Sequence, residues 1–172
     1  MSQPLSDRRP NHFCPPPRHT VVPRTLCFIL HGDEVLLIER SLNRHLFPGK
    51  INGLGGHVER HENVETAARR EILEESGLLV SDLWLAGVVH VDGSTGQTEV
   101  DNAGHFPGVM LFVFTAQSES KQVLPTEEGE LFWSPLSSVD GLDWVDGDPR
   151  LLQRALAARS RGETFFGTIG SG

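Results

Sequence analysis

The sequence predicts an α/β fold, with strands on both sides of one central helix and a second helix towards the C-terminus. Three observations predict it. Short apolar runs bounded by turn residues recur along the chain, the pattern of buried strands. The stretch from Val64 to Ser76 holds no Gly or Pro, pairs Ala67 with Ala68 and is otherwise dominated by Glu and Arg, all of which favour helix. Between Pro149 and Arg161, Leu151, Leu152, Ala155, Leu156 and Ala158 recur at helical spacing and mark an amphipathic helix. A chain of 172 residues is long enough for one domain with an adequate core.

The elements follow in order. Six of the 11 prolines lie in residues 1–23, including Pro15, Pro16 and Pro17, so a flexible proline-rich arm is expected there, with the domain over 24–168 and a short tail at 169–172. Thr25 to Leu30 and Val35 to Arg40 are apolar runs flanking His31-Gly32-Asp33-Glu34, which reads as strand, turn and strand. Ile51 to Gly56 reads as a strand too rich in glycine to be stabilised by its own side chains, and close backbone approach to a ligand or metal is the expected reason. Gly77 then stops the Val64 to Ser76 helix. Leu83 to Val91, Val109 to Ala116 and Leu131 to Trp133 read as strands, with Phe132 and Trp133 assigned to the core. The long polar stretch 90–108 is either a lid over the site or an insertion without a role.

Composition narrows the function. The balance of 15 basic against 23 acidic residues gives a net charge of −8, which argues against wrapping a nucleic-acid backbone. An acidic chain can still bind a phosphate ligand where a divalent cation supplies the local positive charge. With only Cys14 and Cys27, no disulfide framework is implied and a reducing cytoplasm is the expected setting. No apolar stretch approaches the ~20 residues needed to span a bilayer. The N-terminus is proline-rich and polar where a secretory signal would be apolar. Neither a nucleic acid nor a membrane is therefore expected as a partner.

The chemistry concentrates between Gly56 and Leu78. Glu71 and Glu75 are four residues apart and Glu71 and Glu74 three, so on a helix these carboxylates share a face. Like charges so close repel unless a cation neutralises them, and oxygen ligands with little Cys or His nearby favour Mg²⁺ or Mn²⁺ over Zn²⁺. A solvated acidic helix face is the plain reading of such a run, and the flanking glycines and Arg70 in register weigh against it. His57 and His61 fall in the loop before the helix and make a weak zinc pair.

In register, the segment fits Gly, five residues, Glu, seven residues, Arg-Glu, apolar, any, Glu-Glu, any, Gly, apolar without a mismatch. The chain thereby resembles the Nudix hydrolases, metal-dependent pyrophosphohydrolases that include the MutT-type enzymes. The resemblance implies the Nudix fold, a mixed β-sheet α/β/α sandwich, and a Mg²⁺ (or Mn²⁺) cofactor. It places Glu71, Glu74 and Glu75 as metal ligands, joined by the carbonyl of Gly56. Arg70 would orient a carboxylate, with Glu62 its partner or a weaker ligand. The water-activating base is either one of these glutamates or an acid from Glu127, Glu128 and Glu130, and Glu128 is the candidate further metal ligand.

The motif leaves the substrate open. Ile51-Asn52-Gly53-Leu54-Gly55-Gly56 resembles the Asn-Gly-x-Gly-Gly entry of the oxidised-purine nucleoside triphosphatase branch, whose Asn bonds the purine. Trp144-Val145-Asp146 resembles that branch's Trp-Pro-Asp segment, with a stacking ring and an acid at the base edge, and Phe165-Phe166-Gly167 its terminal strand. Ile51 stands where the branch has Trp, and Gly147 where it has Asp. A turn role beside Gly53 stays open for Asn52. The acidic, Gly-rich surroundings of Trp144 predict a loop with an exposed ring. The implied partner is a small-molecule nucleotide, a nucleoside triphosphate cleaved to monophosphate and pyrophosphate, with an oxidised purine nucleotide of the 8-oxo-dGTP type as one candidate. Another nucleoside diphosphate linked to a moiety X, or a catalytically silent ligand-sensing domain, are the alternatives. Oligomeric state is not encoded legibly.

Overall fold

The first two apolar runs form β1 (Val21–His31) and β2 (Glu34–Arg40), an antiparallel hairpin in which Ile29 faces Leu36 and His31 faces Glu34. The computed structural model describes residues 20–92, 107–145 and 149–170. Most of the expected arm, and the 93–106 part of the polar stretch, lie outside these residues. The first strand starts three residues earlier than the expected domain boundary, because Val21, Val22 and Pro23 continue the pairing with the strand beside them.

That neighbour is β5 (Gly108–Gln117), which runs parallel to β1 from Val21 opposite Gly108 to Leu30 opposite Gln117. On its far side β5 pairs antiparallel with β4 (Ser81–Val91), and β4 pairs in parallel with β7 (Phe165–Ile169) at the sheet edge. At the other end, β2 pairs along its whole length with β6 (Gly129–Pro135) and, over its last residues, with the two-residue β3 (Ile51–Asn52). Parallel and antiparallel pairs thus coexist in one seven-stranded sheet, as expected for a mixed sheet.

A helix covers each face. The first, α1 (Val64–Ser76), is capped by Asn63, whose side-chain oxygen accepts the Thr66 N–H at 2.9 Å, and it ends at Gly77 with φ 74°. Its Ala68 and Ile72 pack against Cys27, Ile29, Leu36, Leu54 and Phe114. The second, α2 (Arg150–Arg161), lays Leu152 and Ala155 on the opposite face, against Leu26, Phe28, Val89 and Val113. Alternate residues of β1 serve the two layers, the period-2 pattern of a strand buried on both sides. No helix among the described residues is long and apolar enough to cross a membrane.

Candidate active site

The site grows out of a fork in the sheet. Backbone pairing of β1 and β2 is confined to the end near their turn, and the glycine-rich segment fills the gap beyond it. Ile51 and Asn52 add to β2, while Leu54 and His57 form single bridges to Cys27 and Arg24 of β1. Cys27 and Leu54 exchange both backbone hydrogen bonds, at 2.6 and 3.1 Å, and Gly56 O accepts the Thr25 N–H at 2.8 Å. At Gly53 and Gly55 this corrects the expectation of close backbone approach to a ligand or metal, because the close approach is to β1. A Cβ at Gly55 would lie 2.3 Å from Thr25 O, and one at Gly53 would lie 2.8 Å from Cys27 O, so both are small because β1 itself passes against them. The expected strand over 51–56 is likewise shorter, two residues and isolated bridges.

Gly56 has a different neighbour, since a Cβ there would lie 2.5 Å from the Glu71 carboxylate. The helix turns Glu71 and Glu75 inward onto this loop, and Gly55 donates its N–H to Glu75 Oε2 at 2.9 Å. Burial pushes the Glu75 carboxyl up to about 7, with the charges on Glu71 and Glu128 acting in the same direction against the Gly55 hydrogen bond. Glu128 reaches this neighbourhood because the β2–β6 pairing carries its strand alongside. It is half-buried and paired with Arg44 at 2.5 Å, whereas Glu127 and Glu130 are exposed. Of the three sequence candidates, only Glu128 acts on Glu75.

Glu74 points elsewhere: its side chain is 59% exposed against 14% for Glu71, so the shared face is really the Glu71–Glu75 pair with Glu74 at its rim. Arg70 ties the set together. It donates to Glu62 through Nε and Nη2 at 3.2 and 2.7 Å, to Glu71 at 2.8 Å, to Glu74 at 3.1 Å and to the His57 carbonyl at 3.0 Å. The fork-on-carboxylate contact with Glu62 holds that carboxyl below the usual range, helped by the Glu59 N–H, and raises the Arg70 guanidinium further.

Whether these residues suit a hard divalent cation is decided by the donor set. Among the described residues no three acidic, His or Cys side chains converge as a closed cage. Glu71 and Glu75 are a crowded, partly desolvated oxygen pair beside a backbone carbonyl at Gly56 that already accepts one hydrogen bond. Two carboxylates with open positions suit Mg²⁺, which keeps waters and substrate oxygens in its shell, better than they suit Zn²⁺.

Of the residues expected at the base, Asn52 sits half-buried on β3 with its backbone paired to Ile38, and Asp146 lies outside the described residues. The exposed ring expected at Trp144 is corrected. Trp144 is only 4% exposed, packs in the α2-side core, bridges Ile51 and donates its indole N–H to Val139 O at 2.7 Å. Its acidic neighbours suggested a loop, but the 3₁₀ turn at Leu136–Gly141 supplies both a cover and an acceptor for the ring. Sequence reasoning missed Thr25, whose hydroxyl accepts the Gly56 N–H at 3.3 Å, and the arginines Arg24 and Arg40 at the open end of the fork. A cation at the outer end of each hairpin strand was the available signal.

A single mixed sheet between two helices, with a fork that holds inward-facing carboxylates from a Gly-capped helix, has the architecture and the acidic site of a metal-dependent hydrolase. Residues 21–155 match the NUDIX domain, and the chain belongs to the Nudix hydrolase family. Oxidized purine nucleoside triphosphate hydrolase of Mus musculus is 31% identical over 134 residues, 76% of this chain and 79% of that protein. The Danio rerio protein of the same name is 42% identical over 76 residues, 44% of this chain, and the match spans about half (47%) of that relative. Among solved structures, the MutT protein of Bacillus halodurans superimposes with a TM-score of 0.69 at 25% identity, covering 87% of this chain and 90% of that one.

Proposed function

We propose that the protein hydrolyses a phosphoanhydride of a nucleoside triphosphate, giving the monophosphate and pyrophosphate, with Mg²⁺ or Mn²⁺ as cofactor and a purine nucleotide as substrate. The observation that carries this reading is the inward pair Glu71 and Glu75, two partly desolvated carboxylates on one helix face whose mutual repulsion a shared cation would relieve. A divalent cation at such a site would neutralise phosphate charge and stabilise whichever phosphate departs. Glu71, Glu75 and the Gly56 carbonyl are the groups to hold it, with Glu128 and Glu74 at the periphery. Arg70 fixes Glu71 and Glu74 while Glu62 fixes Arg70, so that the carboxylates meet their ligand already oriented. Glu75, with a pKa near neutrality, can exchange a proton with water at neutral pH.

The mouse relative supports the nucleoside triphosphate, and Asn52, with one donor and one acceptor side, suits a purine edge. Buried Trp144 then serves as the floor behind β3 rather than as a free ring, and Asp146 remains a candidate reader of the base. The test is a panel of purine, oxidised-purine and pyrimidine triphosphates, ADP-ribose and dinucleotides, with and without Mg²⁺, scored for pyrophosphate and phosphate. Pyrophosphate release from a purine triphosphate only with metal is expected. Turnover confined to ADP-ribose or dinucleotides, or no metal-dependent turnover at all, would sink the reading.

A further inference from the structure

One hydrogen bond is out of place where the glycine loop lies on β1. The bridges Cys27–Leu54 and Arg24–His57 set the two segments in antiparallel register and put Gly56 opposite Thr25. In such a ladder, directly paired residues exchange two backbone hydrogen bonds, as Cys27 and Leu54 do. Thr25 and Gly56 make one of theirs, from Thr25 N–H to Gly56 O at 2.8 Å. The return bond is diverted, and Gly56 N–H goes to the Thr25 hydroxyl at 3.3 Å. The Thr25 carbonyl, its ordinary acceptor, lies against Gly55, where a Cβ would be 2.3 Å from it.

Threonine hydroxyls compete with backbone carbonyls in this way, and the result here is a displaced peptide. Gly55 takes φ 137°, a conformation that side chains disfavour, and its own N–H leaves the sheet for Glu75 Oε2 at 2.9 Å. Strand alternation agrees with this placement. Cys27 and Ile29, two and four residues further on, pack on the α1 face, so Thr25 stands on the face that receives Glu71 and Glu75. Thr25 is buried, which commits its hydroxyl to the protein rather than to solvent.

We propose that Thr25 is a positioning residue of the cation site: its hydroxyl holds the Gly55–Gly56 peptide off the ladder and so fixes the Gly56 carbonyl and the Gly55 N–H against Glu71 and Glu75. This rests on the cation site of the reading above. Thr25 grips the loop at two points, the Gly56 carbonyl through its N–H and the Gly56 N–H through its hydroxyl. One residue thereby sets where a backbone ligand and the Glu75 carboxylate stand relative to each other.

The test compares wild type, Thr25→Val and Thr25→Ser in the full chain. It measures Mn²⁺ affinity from the electron paramagnetic resonance of free Mn²⁺, amide exchange of the metal-free proteins by NMR, and turnover of a purine triphosphate. In the wild type, slow exchange is expected at both Gly55 and Gly56. Thr25→Val keeps the β-branched shape and removes the acceptor. It is expected to weaken Mn²⁺ binding roughly tenfold or more, the usual loss when a group that orients a metal ligand is removed, and to speed exchange at Gly55 as its N–H parts from Glu75. Thr25→Ser, which keeps the hydroxyl, should restore most of the affinity. A folded Thr25→Val protein that binds Mn²⁺ like wild type overturns the proposal. So does a Thr25→Ser protein as weak as Thr25→Val, since the methyl and not the hydroxyl would then matter. For a Thr25→Val chain that does not fold, the decision passes to the other two proteins: fast Gly56 exchange in the wild type or weak Mn²⁺ binding by Thr25→Ser overturns the proposal, and their opposites support it. A wild type that binds no Mn²⁺ removes the cation reading and this inference with it. Mn²⁺ binding that depends on the Thr25 hydroxyl in a protein turning over no triphosphate supports the Thr25 assignment and removes the hydrolase reading alone.

Discussion

A carboxylate whose pKa lies near 7 is half-ionised at physiological pH, and Glu75 is such a group because burial acts first and Glu71 and Glu128 add to it. In the unfolded chain the same group ionises near 4.5, so between these values the folded protein holds a proton that the unfolded one has lost. Stability contributed by protonated Glu75 is therefore complete below pH 4.5 and disappears as pH rises towards 7. For chelator-treated protein we expect ΔG of unfolding to fall from pH 5 to pH 7, by on the order of 1 kcal/mol per pH unit from this group. Glu75→Gln should flatten the slope, and an unchanged slope in denaturant titrations of the variant would refute the assignment. If Glu75 holds the cation as proposed, the same substitution should cut turnover on the order of a hundredfold or more at saturating Mg²⁺ while the far-UV spectrum stays native, because Gln keeps the packing and removes the charge. Near wild-type rates would remove Glu75 from the site.

Among elements, helix α1 was the most legible, because everything that defines it is local. Its Gly-free span, the Gly77 stop and the four-residue spacing of Glu71 and Glu75 all lie within one stretch of chain. The fork was not legible, since it depends on β1 pairing with β5 and the glycine loop at once. The glycines were visible but their reason was not, and Trp144 went astray because a ring's burial depends on the 3₁₀ turn that covers it. The loop can be tested directly. Gly55 has φ 137° and would press a Cβ onto Thr25 O, while Gly162 has φ 67° with open space around it. Gly55→Ala should therefore cost about 2–4 kcal/mol and displace the loop from Glu75, against about 1–2 kcal/mol for Gly162→Ala. Equal costs in chemical denaturation would show that the loop yields freely.

For the whole molecule, one polar side chain of the second helical layer reaches through to the buried strands of the sheet. Arg159, in the last turn of α2, donates to Asp82 O, to the backbone and hydroxyl oxygens of the buried Thr115, and to the Asp82 carboxylate. Arg159→Met should lower stability by about 1–3 kcal/mol, chiefly through the buried Thr115 hydroxyl left without its partner. Turnover of the folded variant should stay near wild type, because α2 lies on the face away from Glu71 and Glu75. A variant that keeps its denaturation midpoint but loses activity would contradict this division of labour.

The parallel pairing of β1 with β5 also governs when the protein can assemble. Across this seam, His31 and Ser118 are 87 residues apart in the chain and are joined by a 2.8 Å hydrogen bond. Closing so long a loop carries an entropic cost that the local β1–β2 hairpin does not share, and sheets dominated by distant pairings fold in roughly milliseconds to seconds. On the ribosome, the glycine loop and the carboxylate helix would emerge well before β5, leaving the apolar edge of β1 open. A nascent chain stalled before Gly108 should accordingly be protease-sensitive and dependent on chaperones, and one extended past Gly170 should become resistant.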